Sequence, residues 1–171
     1  RLPQSMAICS DGLLYVPRGE ERLVLRARDG TEQTVLRGVQ SPAVIEDTVI
    51  FRRNGELYCC LCSGWGIRRL SDGLPEESAE GKLECSVILL EGGKTSLRAG
   101  ESTYLTVVTD SVSAGAEQLE QLALLIKDET VIKAEIAGDR ICITALEAGN
   151  TIFRAATAQK NVFAELLFTV E

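Results

Sequence analysis

The residues best equipped for chemistry in this chain are its six cysteines, Cys9, Cys59, Cys60, Cys62, Cys85 and Cys142. Zinc ribbons place paired cysteines two residues apart inside a turn. Here Cys59-Cys60-Leu61-Cys62 instead closes an apolar β-type run, which puts Cys60 and Cys62 on one strand face and Cys59 on the other. That pattern describes small buried hydrophobes, so no metal site and no cofactor is expected. Reduced thiols suit a cytosol, and a disulfide between distant members of the set is the alternative for a secreted chain. Histidine is absent altogether, which removes the commonest general base, the commonest metal ligand and the usual completion of a serine triad.

Carboxylates remain as candidate acids and bases. Glu76 with Glu77 and Asp128 with Glu129 are adjacent pairs, but neighbouring acids in loops usually serve solvation. Calcium would need six or more oxygens, and no Asp-x-Asp-x-Asp array supplies them. Ser63-Gly64-Trp65-Gly66 is neither a nucleophile elbow nor a phosphate loop. No catalytic residue is therefore expected, and the chain reads as a non-enzyme. The rival reading is a carboxylate-only hydrolase or an accessory of a carbohydrate-active enzyme, which would need a cleft with two suitably spaced acids.

The candidate binding residues are Trp65, Arg68 and Arg69. An indole flanked by glycines and followed by two arginines could stack on a sugar ring or anchor a protein interface. The alternative is a tryptophan that covers the end of a small core. Lys and Arg number 18 against 25 Asp and Glu, a net charge of −7, so the counterion release that drives nucleic-acid binding has no source. No run reaches the length of a bilayer span, and Arg1-Leu2-Pro3-Gln4-Ser5 is not an export signal, so no membrane insertion is expected.

The elements that carry these residues read as β throughout. Short runs rich in Val, Ile, Leu and Thr are separated by Asp11-Gly12, Asp29-Gly30, Asn54-Gly55, Asp72-Gly73, Gly92-Gly93 and Gly138-Asp139. In the last run Val162, Ala164, Leu166, Phe168 and Val170 share one face of a half-buried strand. The spacing of Leu119, Leu122 and Leu125 predicts one helix of two or three turns within 114–125. A polar, acidic stretch punctuated by Pro75 and Gly81 predicts a linker at 76–83 between modules at 1–75 and 84–171.

The first module repeats itself at an offset of about 34 to 36 residues. Ser10-Asp11-Gly12-Leu13-Leu14-Tyr15-Val16 is echoed by Glu46-Asp47-Thr48-Val49-Ile50-Phe51-Arg52, and Leu23-Val24-Leu25-Arg26 by Leu57-Tyr58-Cys59-Cys60. Each unit reads as about three short strands. The pattern resembles blades of a β-propeller, although two units cannot close a ring of four to eight, which implies a small sandwich or barrel or a fragment of something larger. In the second module Leu97-Arg98-Ala99-Gly100-Glu101, Lys127-Asp128-Glu129-Thr130-Val131-Ile132-Lys133-Ala134 and Ala148-Gly149-Asn150-Thr151-Ile152 follow one another. In that order they resemble a bacterial immunoglobulin-like domain of group 2. The tryptophan usual in that family before the Asp hairpin is replaced by Leu124, Leu125 and Ile126.

The fold expected is therefore all-β, a small N-terminal β-repeat module followed by an immunoglobulin-like β-sandwich. The resemblance implies a structural or binding protein, either a component of a phage virion (tail or capsid-decorating) or a bacterial cell-surface adhesion or carbohydrate-binding module. Expected partners are proteins or further copies of the chain, and surface glycans in the second setting. Ten arginines in the first module, against an acidic second one, lean toward assembly.

Overall fold

The computed structural model describes residues 5–75, 83–110, 112–157 and 161–171. They are almost entirely strand and fall into two compact units, Arg1–Glu76 and Glu77–Glu171. The expected linker lies outside the described residues except for Leu83, whose N–H donates to the Gln121 carbonyl at 3.1 Å.

The first unit consists of two four-stranded antiparallel meanders. β1 (Ser5–Cys9), β2 (Gly12–Val16), β3 (Arg22–Ala27) and β4 (Glu32–Arg37) make the first sheet. β5 (Gln40–Ile45), β6 (Thr48–Arg53), β7 (Glu56–Leu61) and β8 (Arg68–Arg69) make the second, in sequence order. Each repeat thus has four strands rather than about three, because a two-residue strand such as β8 leaves no periodic signature. The turns form where their chemistry requires. Between β6 and β7, Asn54 and Gly55 both take positive φ (51° and 86°), the pair needed by a two-residue hairpin whose twist matches its strands.

The repeat is kept in the register of the pairing. Leu14 lies opposite Leu25 and Tyr15 opposite Val24. In the second sheet Ile50 lies opposite Cys59 and Phe51 opposite Tyr58, the same positions one repeat later. The two sheets nevertheless bury opposite faces. The first turns inward Cys9, Leu14, Val16, Leu23 and Leu25, whereas the second turns inward Val49, Phe51, Tyr58 and Cys60, and together these form one core.

The second unit is a sandwich-like pair of sheets. β9 (Ile88–Glu91), β10 (Ser96–Leu97), β11 (Ser102–Thr109) and β12 (Val112–Ser113) precede a one-turn helix α1 (Ala116–Leu119). β13 (Ala123–Ile126), β14 (Ile132–Ala137), β15 (Arg140–Ala145), β16 (Gly149–Ala156) and β17 (Phe163–Val170) follow. One sheet runs β10-β17-β16-β13, with β10 parallel to β17, and the other runs β12-β11-β15-β14, with β9 also pairing to β11. Leu105, Val107, Ile141, Ile143, Phe153 and Phe168 lie at the centre of its core. In β17 Phe168 and Val170 are buried and Ala164 and Leu166 half-buried, while Phe163, Glu165 and Leu167 are exposed, the alternation expected of one buried face.

The expected helix is corrected. Only Ala116–Leu119 is helical, with the Gly115 N–H donating to the Gln118 side-chain oxygen at 3.0 Å. Leu122 follows the turn into the core, and Ala123–Ile126 pair with Phe153–Ala156 as strand. Four consecutive apolar residues beside an unpaired sheet edge gain a full ladder of backbone bonds. That gain outweighs a helical spacing of only three leucines.

Candidate functional site

Trp65 lies in the loop between β7 and β8, and Arg68 and Arg69 are the two residues of β8. The Trp65 loop is a closed turn, in which the Leu61 N–H donates to the Trp65 carbonyl at 2.9 Å and the Gly64 N–H to the Leu61 carbonyl at 2.8 Å. Gly64 is required there. Its φ is +82°, and a Cβ at that position would stand 2.7 Å from the Val35 carbonyl oxygen of the loop's neighbour strand β4. The indole is half-buried, between the two roles open to it from sequence. Arg68 and Arg69 are successive residues of β8 and so project to opposite faces of the second sheet. Arg69 lies opposite Tyr58, and its Nε donates to Glu56 Oε2 at 3.3 Å. Tyr58 Oη donates to the same carboxylate oxygen at 3.3 Å. Arg53 stands over the Phe51 and Tyr58 rings, 5.5 Å and 5.2 Å from their centroids. Arg68, on the other face, donates to the Leu74 carbonyl at 3.3 Å.

Of the two carboxylate pairs, only Asp128 with Glu129 falls in the described residues. Glu76 and Glu77 lie outside them. Asp128 is buried between β13 and β14, and its Oδ1 accepts from the Thr130 N–H at 3.1 Å and the Thr130 hydroxyl at 2.6 Å. This is a turn-closing role. An open depression of about 460 Å³ is lined by Lys94, Ser96, Leu97, Arg98, Glu101 and Glu171. Its charges are used locally, since Glu101 accepts from the Arg98 N–H at 3.1 Å and from Lys94 at 3.2 Å.

Two other features stand out. The first is the pair of partly uncovered faces on the first unit, on which Val24 and Cys59 are nonetheless buried. On the first sheet, Met6 and Ile8 are 63% and 83% exposed, beside half-buried Leu13 and Tyr15. By register Ile8, Leu13 and Tyr15 are equivalent to Val44, Val49 and Phe51, of which Val49 and Phe51 are buried and Val44 is half-buried against the core. On the second sheet, Ile45 and Leu57 are 60% and 47% exposed, beside exposed Ala43 and half-buried Ile50. These are equivalent to Cys9, Leu23, Ala7 and Leu14 of the first sheet, of which Cys9, Leu23 and Leu14 belong to the core.

The second feature is a cluster that spacing alone does not reveal. Cys9, at the end of β1, Asp47, in the β5–β6 turn, and Cys62, just past β7, bring two sulfurs and a carboxylate oxygen within 4.8 Å of one another. The Cys62 N–H donates to the Asp47 carbonyl at 3.0 Å, and the Ser10 N–H donates to Asp47 Oδ1 at 2.8 Å. Both thiol-bearing segments are thus tied to one turn. The Ser10 bonds hold the Asp47 carboxyl below the usual carboxylate range. Burial pushes the Cys62 thiol well up, and the facing Cys9 thiol adds to it.

No protein-family model matches the chain, and a search of curated proteins returns no match.

Proposed function

We propose that this chain is a non-enzymatic structural protein that assembles through its first unit. The observation that supports this reading is the mismatch between the repeat and its burial. Inside the chain, one face of the first sheet packs on the opposite face of the second. This is a head-to-tail contact, and it leaves part of one apolar face of each kind uncovered. A contact of that type can be repeated by a second copy of the chain, the exposed face of its first sheet meeting the exposed face of the second sheet here. Heterologous contacts of this kind close into rings or extend into filaments. Met6, Ile8, Ile45 and Leu57 are the apolar residues such a contact would cover.

The second unit, with its sandwich-like core, serves in this reading as a spacer or docking module of the immunoglobulin-like type. A phage virion component, of the tail or decorating the capsid, is the setting proposed. The six cysteines are free thiols, which suits assembly in a bacterial cytosol.

Light scattering at several protein concentrations and salt levels tests the reading. A defined oligomer or a mass that grows with concentration is expected. Ile8→Lys and Ile45→Lys should each stop growth while leaving the melting temperature in place, because both side chains are already exposed. Mixing the two variants should restore one contact, giving a dimer with one chain of each. A strict monomer at every concentration, or a mixture that stays monomeric, refutes the head-to-tail contact.

A further inference from the structure

We propose that Cys9, Cys62 and Asp47 form a binding site for one thiophilic divalent cation of the zinc class, which joins the two sheets of the first unit. The three donor atoms already lie within 4.8 Å of one another. A tetrahedral zinc with sulfur at about 2.3 Å and oxygen at about 2.0–2.2 Å needs its ligand atoms roughly 3.5–3.8 Å apart, so an inward movement of about an ångström at most completes the set. Two sulfurs exclude calcium and magnesium, which require oxygen shells.

The supporting shell is in place. Asp47 is oriented by the Ser10 N–H, which donates to its Oδ1. Cys62 is fixed by its own N–H on the Asp47 carbonyl. Both thiols are buried while Asp47 is exposed, so the cation enters from the Asp47 side and water takes the fourth position. On binding, the Cys9 and Cys62 sulfhydryls each release a proton to solvent as the two sulfur–metal bonds form. Cys9 comes from the first sheet and Cys62 from the second, so the bond joins the two halves of a small core. Units of this size commonly need a metal or disulfide for that purpose.

The test uses the full 171-residue chain, reduced and stripped of metal, titrated with cadmium. One ion per chain should bind, with a sulfur-to-cadmium charge-transfer absorption, and zinc should displace it. Cys9→Ser and Cys62→Ser should each weaken binding about 100-fold or more, and Asp47→Asn about 10-fold, since loss even of an outer-shell partner costs 10–100-fold. The double variant Cys85→Ser with Cys142→Ser should bind as the parent does. If a serine variant fails to fold, alkylation of the parent decides, because bound cadmium should protect Cys9 and Cys62 but not Cys85. A reduced chain that takes up no cadmium overturns the proposal, as do uptake unchanged in both serine variants and alkylation of Cys9 and Cys62 that is indifferent to cadmium.

Discussion

Phe51→Ala should lower the melting point of the first unit while leaving that of the second in place. Phe51 is 1% exposed, stacks on Tyr58 with ring centroids 5.9 Å apart, and lies under the Arg53 guanidinium. Truncating a phenylalanine in such a place costs about 3–5 kcal/mol. At roughly 0.05–0.15 kcal/mol per residue, a unit spanning Arg1–Glu76 has about 4–11 kcal/mol in all. For a domain of this size each kcal/mol moves the midpoint by about 4–8 °C, so a fall of at least about 12 °C is expected. Trp65 is the chain's only tryptophan and belongs to the first unit, so its fluorescence reports that unit alone, while far-ultraviolet circular dichroism reports both. Melted in parallel, the fluorescence transition should drop and a circular dichroism transition of the second unit, whose core is centred on Phe153 and Phe168, should stay in place. Phe168→Ala should do the reverse. If both signals move together in either variant, the two cores are not energetically independent and the reasoning fails.

Other substitutions test single contacts. Gly64→Ala forces a Cβ to 2.7 Å from the Val35 carbonyl at φ +82° and should cost about 1–3 kcal/mol in urea melts followed by Trp65 fluorescence. Gly30→Ala, at φ +87° with nothing near its Cβ, should cost only about 1 kcal/mol in the same assay. Asp128→Ala removes the acceptor of both Thr130 bonds and should lower the stability of the second unit by about 1–2 kcal/mol, read by circular dichroism. The Ser10 bonds hold the folded Asp47 carboxyl below the ordinary aspartate value, so its contribution is present above that ordinary value and is lost as pH falls through the folded one. Acid titrations of Trp65 fluorescence should therefore show a shallower loss of stability below about pH 4 for Asp47→Asn than for the parent.

Much of the fold is legible because strand alternation and hairpin turns are local signals. Asn54-Gly55 and Gly138-Asp139 mark their turns by residue type, and the alternation in 162–170 assigns the inner face of β17 without tertiary information. Where the signal is not local, the reading fails in a way that has a physical cause. The β5–β6 turn holds Glu46 at φ +54° with no glycine to announce it, and β8 is two residues long. The helix expected within 114–125 fails because the ladder offered by β16 decides the conformation of Ala123–Ile126, and that ladder is 30 residues away in the chain.

The site is less legible, for a reason the repeat itself supplies. Residue type correctly separates Cys59 from Cys60 and Cys62 by strand face, yet face alone does not say what lies across it. The sheets pack unlike faces, and Cys9 arrives beside Cys62 at the turn that carries Asp47. The same unlike packing separates Arg68 from Arg69 in role. Arg69 joins Glu56 and Tyr58 on one face of the second sheet, and Arg68 lies opposite Cys59 on the other. One topological choice thus both assembles the thiol cluster and leaves unlike apolar faces at the two ends of the unit. A variant that blocks the ends, such as Ile8→Lys, should leave cadmium uptake by Cys9 and Cys62 intact. Loss of uptake in that folded variant would mean that the cluster depends on assembly rather than on the packing within one chain.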